Sequence, residues 1–554
     1  MFNTMLTTLS ATQMRAFYEA GFWREDTIYA LAKGWAERTP ESFALRDRLR
    51  RFTYRALVDA ADRLAAHLHA SGLRSGQRIA VWLPSRFEIA VTLLACSRNG
   101  YVCCPSLHRD HTVGDIEELL TRMRASALIA ETGYGADTNR HDIFERAKNV
   151  TGLDLVLRLE PLSDADREKP LFSAIPEGAG GENGLASDPD TIVYLAFTSG
   201  TTGVPKGVMH SDNTLLANAR AISHDWSIDE KSVIYSMSPL SHNLGLGALV
   251  MTLARGGEFV VHDLPRRESL VDRIVETGAT FAIGVPTHAI DLLSELRDRG
   301  LKALGAVKGF RISGAAVPPT VAADLLDRGV VPQSGYGMTE AGSHHYTLPD
   351  DPAQLIIETS GRACAGYEVK IWSREDENCE AASGEVGQIG GRGASLMLGY
   401  FDDQFATETS FNATGWFMTG DLGWMDERGY LRITGRKKDV IIRGGHNIYP
   451  ARIESLVMRY PGVERAAVLP VADARLGEKV CLAIMPRAGQ VISAEDMLQH
   501  LDDVGLSKFD MPEFFMSLDQ IPLTPSGKIL KRDLVAAITE GRLVPEPVRF
   551  QSKA

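Results

Sequence analysis

Apolar positions along this chain recur with two periods, one of three to four residues and one of two, and the periods take turns. Leu57, Ala60, Ala61, Leu64 and Leu68 fall at helical spacing, and Gly72 then stops the run. Gln77-Arg-Ile-Ala-Val-Trp-Leu83 reads as the next strand and Phe87 to Cys96 as the next helix, and the succession returns through the middle of the chain. Such alternation predicts an α/β fold in which parallel or mixed sheets are covered by helices. The polar stretch Ser163 to Asp188, with its Asp, Glu, Gly and Pro residues, reads as a surface excursion. After Arg436 the pattern resumes as a compact unit. Arg465-Ala-Ala-Val-Leu469 and Lys479-Val-Cys-Leu-Ala-Ile484 are strand-like, and a helix opens at Ser493 with Asp496 as its capping partner. These shifts predict a large N-terminal domain over 1–436 and a small C-terminal one over 437–554, hinged at Lys437-Lys438.

Composition narrows the class. A chain of 554 residues, 44% hydrophobic and 23% charged, buries more than one core. Its net charge of -12 offers no global positive field to attract nucleic acid. Cys96, Cys103, Cys104, Cys364, Cys379 and Cys481 show no metal-ligand spacing and no secreted framework, so they are expected to be reduced and mostly buried, with the adjacent Cys103-Cys104 as packing residues. No basic segment leads into a long apolar run, and nothing approaches the roughly 18 apolar residues of a spanning helix. The expectation is a cytoplasmic enzyme without integral membrane association.

Chemistry is concentrated in a few segments. Thr198 to Gly207 reads TSGTTGVPKG directly after the β-rich run Thr191 to Phe197. Its glycines, hydroxyl residues and Lys206 suit a polyphosphate held by backbone N–H groups, hydroxyl donors and one ammonium. It is not a Walker loop, because Pro205 stands where the second glycine of that loop would be and Lys206 is followed by Gly207. Gly335-Tyr-Gly-Met-Thr-Glu340 sets an aromatic ring beside glycines, then a hydroxyl, then a hard carboxylate suited to Mg²⁺. Thr419-Gly-Asp421 places a short carboxylate after a glycine turn, where it is either a ribose acceptor or only a turn former. Gly435-Arg-Lys-Lys-Asp-Val-Ile-Ile-Arg-Gly-Gly-His446 and Pro525-Ser-Gly-Lys528 complete the set.

In this order and spacing, the segments resemble the adenylate-forming superfamily of acyl-CoA synthetases, aryl-acid ligases, luciferases and peptide-synthetase adenylation domains. The likeness runs from Phe52-Thr-Tyr54 to Lys528 and takes in Ser313-Gly-Ala-Ala316 and Gly384-Glu-Val-Gly387. Leu94-Ala-Cys-Ser-Arg98, Val208-Met-His210, Lys438 to Gly445 and Asp473-Ala-Arg-Leu-Gly-Glu478 bring it nearest to bacterial CoA ligases for cyclohexanecarboxylate-like and medium-chain acids. His446, where many relatives carry Glu, and Ala315-Ala316, where Gly-Ala or Ala-Pro is common, depart from the pattern.

The resemblance implies an α/β fold with a large N-terminal domain of several subdomains and a small, mobile α+β C-terminal domain. It implies an ATP-dependent acid:CoA ligase that needs Mg²⁺, forming an acyl-adenylate and then a thioester. Thr198, Ser199, Gly200, Thr201, Thr202, Gly203 and Lys206 would hold the β- and γ-phosphates, Thr339 the α-phosphate region, and Glu340 the metal. Tyr336, with Gly337 beside it, would flank the adenine, with Gly314 and Ala315 on its other face, and Asp421 and Arg436 would hold the ribose. Lys528 would reach in from the small domain to the reacting carboxylate. His242, in Pro239-Leu-Ser-His-Asn-Leu-Gly245, would adjoin that carboxylate in an acyl pocket with Asn243 and Gly335. Lys438 would be the hinge, and Gly444-Gly445 would border a tunnel for the pantetheine arm. An alicyclic, aromatic or medium-chain acid fits the small, apolar Leu244-Gly-Leu-Gly-Ala248. Two other readings stand beside this one: an adenylating enzyme that loads a carrier protein, and a nucleotide-binding regulatory protein without turnover. A monomer and a homodimer are both compatible with the sequence.

Overall fold

The computed structural model describes residues 7–164, 171–172, 175, 188–198, 205–265, 268–524 and 528–550. Two large sheets dominate the first four-fifths of the chain. One has nine strands in the order Arg362–Ala363, Gly342–Tyr346, Val331–Met338, Gly309–Ile312, Phe281–Gly284, Val233–Ser236, Glu258–Val261, Phe43–Arg46 and Arg51–Thr53. Its central strands are parallel, and the pairs at its ends are antiparallel. A seven-stranded sheet carries Arg78–Trp82, Ala125–Glu131 and Ile192–Thr198, and a four-stranded antiparallel sheet holds Phe417–Met425 and Leu431–Arg436. Mixed sheets covered by helices are what the alternating periods predict.

The largest core lies between the two big sheets. It joins Ile79, Val81 and Tyr194 of one to Leu45, Ile234 and Ile283 of the other through residues such as Leu64, Leu93 and Leu249 of intervening helices. Position decides what such a helix must look like. The Phe87–Asn99 helix is buried at every residue, so it is apolar on all sides instead of on one stripe. Its charged residues survive by pairing: Glu88 accepts from Arg86 at 2.8 Å, and Arg98 Nε lies 2.8 Å from Asp62 Oδ1. The Tyr54–Ala70 helix covers the predicted Leu57 to Leu68 run and ends just before Gly72, whose φ of +97° suits a residue without Cβ.

Residues from Ile441 onward build their own six-stranded sheet, around two cores that draw only on this part of the chain. The two strand-like segments are the middles of longer partners, Val463–Asp473 and Gly477–Pro486, and Ser493 caps the Ala494–Asp503 helix by accepting from Asp496 N–H. One expectation is corrected. Within the stretch taken as a surface excursion, Leu171, Phe172 and Ile175 are buried in the main core, so apolar residues anchor it. Five cysteines are buried and free, and Cys379 is exposed. Among the described residues no helix is long and apolar enough to cross a membrane.

Candidate functional site

The site gathers at the ends of strands from three sheets. Ile192–Thr198 and Lys206–Ser211 pair antiparallel with Thr198 opposite Lys206, so the glycine- and threonine-rich segment joins two ladder strands. Ser199, Gly200, Thr201, Thr202 and Gly203 lie outside the described residues. Lys206 Nζ stands 4.6 Å from the centre of the Tyr400 ring, a cation–π arrangement that positions the ammonium.

The Val331–Met338 strand runs through the Tyr336-Gly337 motif before turning at Thr339 and Glu340. Tyr336 is 6% exposed, and its hydroxyl donates to Asp421 Oδ2 at 2.8 Å. Arg436 Nε donates to the other oxygen of the same carboxylate at 3.2 Å. Burial raises the Asp421 carboxyl above the ordinary range, and Arg436 opposes the shift. The two contacts fix the carboxylate plane while each oxygen keeps a lone pair for an incoming hydroxyl. Glu340 accepts from the Tyr400 hydroxyl at 2.9 Å, and burial raises its carboxyl as well. The Thr339 carbonyl accepts from His210 Nε2 at 2.7 Å, which places the proton on Nε2. Burial pushes His210 down to about 4, so this strut is neutral at physiological pH.

Gly314 follows the Gly309–Ile312 strand, and here the C-terminal unit enters. A Cβ on Gly314 would lie 3.3 Å from Lys528 Cε and 4.0 Å from Nζ. Burial lowers the Lys528 ammonium, Arg436 lowers it further, and Asp421 and Glu340 oppose. His242 is the N-cap of the Asn243–Arg255 helix, its Nδ1 accepting from Leu244 N–H at 3.3 Å. Burial, Lys528 and His108 together push it down to about 3. A neutral imidazole that accepts at Nδ1 carries its proton on Nε2, so His242 is a hydrogen-bond donor that competes with no cation. Lys528 thus acts on His242, Asp421, Arg436 and Glu340 together.

Other expected residues fall nearby or apart. Gly335 is half-buried, with the place of its Cβ 3.7 Å from Ser313 Cβ, while Asn243 is partly exposed and Ala315 exposed. Gly444 and Gly445, at φ +57° and +87°, form the turn of the hairpin between Ile441–Arg443 and His446–Ile448, and both are exposed, as is Lys438. The departure at His446 has a local partner, Asp510 Oδ1 at 2.7 Å. Sequence reasoning missed Tyr400, His210 and His108. His210 stood in a segment quoted for the resemblance without a role, Tyr400 and His108 carried no motif, and the contacts of all three are remote in sequence.

Among the described residues no group of three or more His, Cys, Asp and Glu side chains is arranged to hold a metal. The hard oxygen of Glu340 fits a single Mg²⁺ ligand, the remainder coming from phosphate and water, as is usual for an ion that keeps much of its hydration.

A base-side limit on activity follows from Lys528. In the role expected of Lys528 the charged form acts, and the group is lowered from 10.5, so positive charge is lost as pH rises through a value below 10.5. Acid-dependent pyrophosphate exchange is expected to fall on that limb, and Lys528→Arg to move the limb upward. A profile flat to the ordinary lysine value would remove the buried ammonium from the rate.

Comparison with known proteins accords with this geometry. Residues 32–401 match the AMP-binding enzyme family, and residues 452–528 match the AMP-binding enzyme C-terminal domain. The medium-chain fatty-acid–CoA ligase of Escherichia coli (strain K12) is 30% identical over 97% of this chain and 96% of its own. A feruloyl-CoA synthase of an Amycolatopsis species is 32% identical over 90% of this chain and 96% of its own. The crystal structure of ATP-bound MatB from Rhodopseudomonas palustris is 28% identical, covers 93% of this chain and 99% of its own, and superposes with a TM-score of 0.81.

Proposed function

This chain belongs to the AMP-binding enzyme family and is an AMP-forming acyl-CoA ligase, and on that premise we propose how its residues divide the work and which acids it takes. One observation carries the reading: Lys528, supplied by the separate C-terminal unit, lies against Gly314 and interacts with His242, Asp421 and Glu340. An ammonium delivered there can neutralise charge shifting between a substrate carboxylate and an α-phosphate.

In the first step a carboxylate oxygen bonds to the α-phosphorus of ATP, the bond from that phosphorus to the β-phosphate oxygen breaks, and pyrophosphate leaves. The protein aligns the reactants and places charge. Thr198, Lys206 and the segment between them cradle the β- and γ-phosphates, and Glu340 contributes to Mg²⁺. Tyr336, Gly337, Gly314 and Ala315 flank the base, Asp421 and Arg436 take the ribose, and Thr339 meets the α-phosphate. His242 and Lys528 hold the reacting carboxylate. In the second step the CoA thiolate bonds to the acyl carbon, and AMP leaves with the electron pair of the broken bond between that carbon and the phosphate oxygen of the mixed anhydride. The 437–554 unit turns about Lys438 between the steps, bringing Gly444-Gly445 beside the pantetheine arm. Relatives named for medium-chain and feruloyl acids support an alicyclic, aromatic or medium-chain substrate.

The test is pyrophosphate and AMP release over alicyclic, benzoic, hydroxybenzoic and C4 to C12 acids, with and without CoA. AMP and acyl-CoA are expected together. Pyrophosphate exchange that CoA cannot carry to a thioester would move the acceptor to a carrier protein. In the same assay Gly445→Leu is expected to retain pyrophosphate exchange and lose acyl-CoA formation. Equal loss in both steps would count against the tunnel assignment, since a side chain at φ +87° also strains the turn.

A further inference from the structure

Arg311 is 5% exposed in the middle of the Gly309–Ile312 strand, yet among the described residues its guanidinium Nε has no hydrogen-bond partner. Gln333, its register neighbour on the Val331–Met338 strand, is fully buried, and neither its amide nitrogen nor its amide oxygen has a partner among the described residues. The groups that favour the charge on Arg311 are the Tyr346 hydroxyl and the Cys364 thiol. Burial raises both, Cys364 to about 12, so both are neutral. An arginine remains charged at any physiological pH, and burying it without an anion costs far more than one hydrogen bond. A folded chain that keeps such a group has a use for it.

The strand pattern says where the group faces. Phe310 and Ile312 pack into the core on one side of the sheet, while Ile283, paired with Arg311, packs into the other core, which the Asn243–Arg255 helix shares through Leu244, Leu246 and Ala248. Arg311 and Gln333 therefore lie on the face covered by the helix that His242 caps. Gly335, two residues after Gln333, falls on that face too by strand alternation. In the roof, Asn243 and Gly247 are partly exposed between buried neighbours, and nothing lies within 4 Å of where a Cβ on Gly247 would be. The helix that shares this core thus leaves open space at Gly247.

We propose that Arg311 and Gln333 form a subsite for a second carboxylate, at the far end of an acid whose reacting carboxylate lies at His242 and Lys528. The planar guanidinium fork matches two carboxylate oxygens, and the Gln333 amide adds a donor beside it. From Arg311 to Ser313, just before Gly314, is two residues along a strand, roughly 7 Å. That spacing suits a short dicarboxylic acid, with the apolar walls around its middle. The inference rests on the ligase reading and refines it from an acid of apolar body to one with an anionic tail.

The probes are the C4 to C8 α,ω-dicarboxylic acids, each against the monocarboxylic acid of equal length. The diacid is expected to lead in kcat/KM by about 100-fold or more, the scale on which a site built for a polar group rejects a substrate lacking it. Arg311→Met should collapse that ratio without lowering the melting temperature, because replacing an unpaired buried charge with an apolar side chain of similar reach relieves the fold. Monoacids favoured by the wild type, or a ratio unchanged in Arg311→Met, would overturn the subsite and leave the ligase standing. Binding separates the two claims. If no acid releases pyrophosphate, the ligase reading falls. Thermal stabilisation by glutarate or adipate in the wild type and not in Arg311→Met would then still support the subsite, and its absence would overturn it.

Discussion

Lys528→Ala is expected to slow adenylation by roughly 10²–10³-fold, the usual scale for removing one transition-state charge donor. Thioester formation from supplied acyl-adenylate should be spared. The expectation stems from position: the ammonium comes from a unit with its own cores and meets the rest of the site at Gly314. Removing it takes away a positive charge opposite Asp421 and Glu340 and leaves Arg436, with Lys206 beside Glu340, as the cations there. Folding should be little affected, because a desolvated ammonium contributes no stability of its own at that place. The measurement is ATP–pyrophosphate exchange beside the rate of acyl-CoA formation from isolated acyl-adenylate. Loss of both half-reactions in equal proportion would make Lys528 a structural residue, and an unchanged exchange rate would remove it from the mechanism.

Gly337→Ala is expected to be nearly as damaging, for a steric reason. A Cβ at 337 would come within 2.1 Å of Gly342 O and 2.6 Å of Ser343 Cα. These are backbone atoms of the antiparallel partner strand, so no side chain can swing aside. Overpacking of this kind costs about 1–3 kcal/mol, and here the shift falls on the turn that presents Tyr336, Thr339 and Glu340. A misplacement near 1 Å in such a group is enough for a loss on the order of 100-fold. Exchange assays at saturating acid should show a raised KM for ATP together with a lowered kcat, in a protein that melts a few degrees lower. Wild-type kinetics would mean that the strand pair opens freely and that the turn is not a fixed support.

Much of the candidate site was legible because its polar residues lie close together in sequence. Tyr336, Thr339 and Glu340 share one strand end and turn, and Thr198 and Lys206 face each other across one hairpin ladder. Local motifs of that kind reveal themselves through turn chemistry and unusual polar residues after apolar strands. Tyr400 and His210 were not legible. Tyr400 matters because its hydroxyl reaches Glu340, and His210 because Nε2 holds the Thr339 carbonyl, contacts made by strands that are neighbours only after folding. The surface reading of Ser163 to Asp188 failed for a related reason. Composition averages over a stretch, whereas Leu171, Phe172 and Ile175 are buried one residue at a time.

The sequence by itself determined the alternation of strands and helices, the order of the polar motifs, and hence the family and its ATP-dependent chemistry. All of these depend on spacing along the chain. Tertiary structure decided which groups share an electrostatic environment. It set Lys528 against Gly314, coupled Asp421 to Tyr336 and Arg436, and covered Arg311. Period-two alternation gives a strand residue one of two faces, and a charged residue there reads as solvated. Only the packing of the Asn243–Arg255 helix and its core over that face turned Arg311 into a buried charge, because desolvation depends on what arrives from elsewhere in the chain.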